Sequence, residues 1–122
     1  KYRLTRFNNV EVHENVKNPE RFCANSICGL CNLNIAAGVQ NKVLEYMRIG
    51  LPTVISEKCF NSFDFKNNKE VALYKNQEEL VKKIIKLKKN KIISNKISYN
   101  GRKKIKKYYS WSSALKQYDS IV

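Results

Sequence analysis

Acidic side chains are scarce in this sequence: ten Asp and Glu stand against 24 Lys and Arg, which leaves a formal net charge of +14. Nucleic acid and anionic membrane are the general partners for such a surplus, and a lysine-rich composition with solvated side chains produces it with neither. Histidine is nearly absent. His13 is the only one, so no His pair exists to complete a zinc site. A lone His on an alternating stretch reads as an ordinary half-buried side chain rather than a catalyst. No apolar run approaches the ~20 residues of a membrane span, and the first residues lack the basic, apolar and small-residue succession of a secretory signal. What remains is 122 residues, 43% of them hydrophobic, enough for one domain that buries about two-thirds of its unfolded surface. The first residue is Lys1 rather than Met, which reads as a piece of a longer chain.

The most structured stretch is Gly38 to Ser56, GVQNKVLEYMRIGLPTVIS. Gly38 to Asn41 supply turn and capping residues, and Val43, Leu44, Met47 and Ile49 follow at helical spacing, so a helix starts near Asn41 or Lys42. Gly50 stops it, Pro52 bars its continuation, and Thr53, Val54 and Ile55 suit a buried parallel strand. In an open α/β sheet the amino end of such a helix lies near the carboxyl ends of the strands, where unpaired amides and the helix dipole favour phosphate. Glu45 falls one turn inside. Its carboxylate can accept hydrogen bonds from vicinal ribose hydroxyls while the amides of Lys42, Val43 and Leu44 face a diphosphate.

These residues resemble the signature of the donor domain of retaining GT-B glycosyltransferases of the family 4 type, in which a loop precedes a Glu on a helix and then M-x-x-G-x-P-V-V. The resemblance implies that Glu45 binds the ribose of a nucleotide-sugar and that Gly38, Val39, Gln40, Asn41, Lys42, Val43 and Leu44 hold its diphosphate and sugar. It departs at Ala37, where many members carry a first glutamate that handles the sugar; branches reading Gly-Ile-Gln-Asn-Lys-Val-Leu-Glu also lack it. It further implies a Rossmann-like parallel α/β sheet flanked by helices, with residues 1–122 forming part of the donor half of a GT-B fold. The nucleotide-sugar is then substrate, and neither cofactor nor metal is needed. The cationic pair that meets the leaving diphosphate, and the acceptor domain, would lie before this chain, since the 44 residues preceding Glu45 are too few for them. The implied whole protein transfers a hexose in cell-surface glycan or polysaccharide synthesis. It works in the cytoplasm, with peripheral contact to anionic membrane at its inner face and no nucleic acid as partner. The isolated chain is expected to be inactive.

In chain order, Val10 to Val16 alternate apolar and polar residues and read as a strand over residues 10–14 with a turn near Asn15. In the resembling family that strand's exit borders the base, which nominates Val16 and Lys17. Asn18-Pro19-Glu20 opens a short helix to Ala24, and Ser26 to Asn32 reads as a second strand. Beyond the strand at 53–56, Phe60, Phe63 and Phe65 pack an irregular passage onto the sheet, and Val71 to Tyr74 form a fourth strand. Asn76 caps a helix to Lys89 with a stripe of Leu80, Ile84 and Leu87 widened by Val81 and Ile85. A second basic helix runs from Lys91 to Tyr109, interrupted at Gly101. Tyr109-Ser110-Trp111-Ser112 breaks the pattern before a last helix from Ser113 to Val122, an ending that the donor domains of the family share.

Cys23, Cys28 and Cys31 fall in C-x4-C-x2-C spacing with Cys59 further on, the plant-type ferredoxin pattern. An electron carrier is therefore one rival reading, and a basic nucleic-acid module is the other. Against the first, Cys28 and Cys31 on a strand point to opposite faces, and such carriers are usually acidic. As ordinary residues, the cysteines serve as small apolar side chains in a reducing compartment.

Overall fold

Residues 6–32 and 40–108 are described by the structure, a computed structural model. Three short strands form its sheet: β1 (Gly29–Cys31), β2 (Thr53–Ser56) and β3 (Ala72–Tyr74), in the order β1-β2-β3 with both pairings parallel. Around them run α1 (Pro19–Cys23), α2 (Gln40–Ile49), α3 (Glu57–Phe60), α4 (Gln77–Lys89) and α5 (Lys91–Tyr108). This is the expected α/β arrangement of helices on a parallel sheet, in which strands buried on both faces favour uninterrupted apolar runs. Thr53, Val54 and Ile55 are all fully buried, and the Thr53 hydroxyl is satisfied by donating to the Leu51 carbonyl at 3.1 Å.

Alternation along the strands divides the core in two. On one face Cys31, Ile55, Cys59, Phe65 and Val71 pack with Val43 and Met47 of α2 and Ile105 of α5. On the other, Val54, Ala72 and Tyr74 pack with Leu87 of α4 and Ile97 of α5, with Cys28 against them. The α5 helix thus contributes to both cores. Its Gly101 lies against the Glu70 carbonyl just before β3 and the Met47 side chain, and Arg102 lies beside Gly50 just before β2. The helix therefore passes across the amino ends of the strands.

Local chemistry explains the joints. Gly50 has φ +92° and ends α2, with its amide bonded to the Met47 carbonyl at 3.1 Å and that of Leu51 to Tyr46 at 3.0 Å. That pair is a Schellman cap, which needs a residue in the left-handed region. Asn76 caps α4 by accepting from the Glu79 amide at 2.9 Å, while the Glu79 carboxylate accepts from the Lys75 amide at 2.8 Å. Asn90 repeats the capping device at α5, accepting from Ile93 at 3.1 Å.

Several expectations are corrected. Residues 10–14 form no strand; the stretch runs irregularly to Asn15, whose φ is +55°. Alternation alone does not make a strand when no neighbouring ladder accepts it. The second strand covers Gly29–Cys31 rather than residues 26–32. Gly101 does not interrupt α5, because the missing Cβ is what lets the continuous helix approach Glu70. Val81 and Ile85 do not widen the buried stripe of α4; they are 49% and 45% exposed. Residues 57–60 of the passage after β2 close one helical turn. Phe65 is buried and stacks on Phe63 at 4.7 Å, and Phe60 and Phe63 pack against the same core, so this passage does dock through its aromatics. The break at 109–112 and the last helix lie outside the described residues.

Candidate functional site

The carboxyl ends of β1, β2 and β3 share one edge because all three strands are parallel. The chain leaves β1 at that edge and enters α2 at Gln40, so the amino end of α2 sits there too. Burial of Val43 and Met47, at 0% and 1% exposure, fixes the helix on the sheet. Its other end is held by the Gly50 cap.

Within this helix the expected residues divide by role. Asn41 and Lys42 are exposed, Leu44 and Glu45 are half-buried, and Val43 is an anchor. The first turn contains no carboxylate, so the positive end of the dipole and the amides up to Lys42, which have no partner within the helix, are not neutralised from within the turn. The Lys42 ammonium adds a positive charge close enough to Cys31, the last residue of β1, to oppose the rise of its thiol pKa. Glu45 follows one turn on, near the Tyr46 phenol, which burial pushes up and which the charges of Cys31, Cys23, Glu45 and Cys28 push further. Gly38, Val39 and Ala37 lie outside the described residues, as does the side chain of Gln40.

Val16 and Lys17 are exposed on the stretch that leads into α1. The Arg48 guanidinium donates to the Glu20 carboxylate at 2.6 Å, which ties α1 to the carboxyl-terminal end of α2. Nothing described connects Val16 or Lys17 with Asn41 to Glu45. His13 lies 3.1 Å from the Glu11 carboxylate and packs edge-on to Phe22, as an ordinary surface side chain does.

Topology adds two residues to the carboxyl edge that motif reading passed over. Ser56 ends β2 in an extended conformation and precedes the single turn of α3, and Tyr74 ends β3. The Tyr74 hydroxyl is buried and has no hydrogen-bond partner among the described residues. Burial raises its pKa, with Cys59 and Cys31 adding to the rise. The signal for both was available: in a parallel sheet, the last residue of every strand borders the ligand edge.

The cysteines do not converge. Cys31 and Cys28 belong to the two different cores on opposite faces of the sheet. All four are free thiols. Burial pushes Cys28 up, and Cys31 is pushed up to about 11 by burial and then by Cys59. Among the described residues no three His, Cys, Asp or Glu side chains are grouped to hold a metal ion.

No helix among the described residues is long and apolar enough to cross a membrane. Neither a curated protein nor a solved structure matches the chain. The model of a family described as glycosyl transferase-like matches residues 4–120, a span that takes in the whole described sheet, α2 and both basic helices. The chain belongs to that glycosyl transferase-like family.

Proposed function

We propose that the chain is the donor-holding part of a GT-B glycosyltransferase of the retaining family 4 type. It binds a nucleoside-diphosphate sugar as substrate, and a second domain presents the acceptor. One arrangement carries this reading: a helix amino end with Lys42 and no acid in its first turn, at the carboxyl edge of a parallel sheet, followed one turn later by Glu45. Unpaired amides and the dipole suit the diphosphate, and the carboxylate suits the paired ribose hydroxyls. The sugar passes to its acceptor in cytoplasmic synthesis of a surface glycan, with leaving-group charge met by amides and cations. The separation of Cys28 from Cys31 across the sheet favours this reading over an iron–sulfur carrier.

Calorimetry with nucleoside diphosphates and their 2',3'-dideoxy analogues tests it. Glu45→Ala weakens binding of the ribose form by about 1.5–3 kcal/mol, the scale of hydrogen bonds to a charged group. Glu45→Gln costs less, because it keeps an acceptor. The dideoxy form binds the parent protein poorly and the Ala variant about equally poorly. Additive losses, with no coupling between the Glu45 change and the missing hydroxyls, would leave Glu45 with only the small, ribose-indifferent effect of a charge early in a helix.

A further inference from the structure

At the opposite end of the sheet lies a groove of about 1140 Å³ between α1, the end of α2 and α5, which takes no part in the donor reading. Ile49, Leu51 and Ile105 give it apolar walls. Its charge is one-sided: among the described residues Arg48, Arg102, Lys103 and Lys106 line it with a single acidic residue, Glu20. Arg48 is already committed to that carboxylate at 2.6 Å. Arg102, Lys103 and Lys106 have no ion-pair partner among the described residues.

The sequence of α5 sets these groups in one row. Tyr99, Arg102, Lys103 and Lys106 stand at i, i+3, i+4 and i+7, the spacing that lines one helix face. Like charges at i,i+3 and i,i+4 repel and weaken a helix. The helix dipole compensates only within the last turn, which holds Lys106 but neither Arg102 nor Lys103. The Arg102 side-chain stem lies beside Gly50, which the α2 cap holds at φ +92°, at the groove wall. A concave site with apolar walls and unbalanced positive charge concentrates anions.

We propose that this groove is a second anion site, in which Arg102, Lys103 and Lys106 bind the phosphate group of a ligand and Tyr99, 68% exposed at its rim, covers the adjoining part. The phosphate is that of a soluble metabolite or of a lipid headgroup. The two sources share the same contacts. Arg102 supplies a planar fork suited to two phosphate oxygens, and the lysines supply point charges.

Titration of the full chain with inorganic pyrophosphate, followed by backbone amide NMR, reads the site directly. One set of shifts, read by its own titration curve, covers residues 48–51 and 99–106 and is distinct from any set at Asn41 to Glu45, where the donor reading itself places a diphosphate. The combined change Arg102→Gln, Lys103→Gln, Lys106→Gln weakens that binding by at least roughly tenfold. Removing as many charges elsewhere, through Lys88→Gln, Lys89→Gln and Lys91→Gln, leaves it within about twofold, the scale of screened long-range charge. Co-sedimentation with phosphatidylglycerol vesicles, against phosphatidylcholine, separates the sources. Vesicle binding lost in the groove variant alone assigns a lipid headgroup; vesicle binding that is absent, or indifferent to the groove, assigns a soluble phosphate. Equal weakening of pyrophosphate by both triple variants, shifts confined to the α2 end, or no pyrophosphate binding by the parent protein overturns the proposal.

Discussion

Gly101 carries more structural consequence than its size suggests. A glycine in a helix interior usually costs about 1 kcal/mol against alanine. Here a Cβ would stand 2.9 Å from the Glu70 carbonyl oxygen and 3.3 Å from Cε of Met47. The first contact is with backbone, which cannot swing aside, so Gly101→Ala lowers stability despite the gain in propensity. The net loss expected from urea unfolding is about 1–3 kcal/mol, the range for an overpacked site. Cys31 gives a second consequence at this scale, through pH. Its thiol titrates near 9 when unfolded and near 11 when folded. The folded state therefore holds the proton more tightly, and the associated stability is complete below pH 9 and lost as pH rises through 11. Cys28, Tyr46 and Tyr74 shift in the same direction, while Lys83, pushed down by burial and by Lys86, opposes them. Urea midpoints measured from pH 8 upward fall, and the fall is shallower in Cys31→Ala.

Among the elements, α2 joins the sheet to α5. Met47 is 1% exposed, packs in the core beneath α2 and touches the position of Gly101 on α5. Met47→Ala is expected to cost about 2–5 kcal/mol in an unfolding titration, whereas Asn76→Ala, which removes only the cap of α4, costs about 1 kcal/mol. A reversal of that order would mean that α2 is loosely seated. The sequence made α2, β2 and α4 readable because each states its limits locally: Gly50 and Pro52 after one, Asn76 before another with Glu79 in its first turn, and a β-branched run between. The stretch at residues 10–14 misled because it has the alternation of a strand and, among the described residues, no partner strand. Val81 and Ile85 misled for a related reason, since helical period names an apolar face but not how far the neighbouring sheet extends beneath it. Of the donor site, the place of Glu45 one turn into a helix could be read from spacing. Ser56 and Tyr74 required knowing which strand ends share an edge. The groove at the other end could not be read at all, because it depends on α1 and α5, separated by 67 residues between Cys23 and Lys91, approaching the same turn.

For the whole molecule, the two ends of the sheet have different chemistry. The carboxyl edge has a helix amino end and Lys42, and the amino edge has a row of side-chain cations on α5. The described ion pairs are few and solvent-exposed on at least one partner, Glu20 with Arg48, Glu78 with Lys82 and Asp64 with Lys104 among them, so the cohesion of the fold rests on its two apolar cores rather than on charge.

Because α5 enters both of those cores, through Ile97 on one side and Ile105 on the other, neither can open alone without disturbing the same helix. The amides of β2 and those of α5 around Gly101 should accordingly exchange with solvent deuterium at closely similar rates under native conditions, and should converge on a single opening free energy as urea is added. Two separated isotherms, one for each face of the sheet, would show instead that the halves of α5 detach independently and that the molecule breathes as two units.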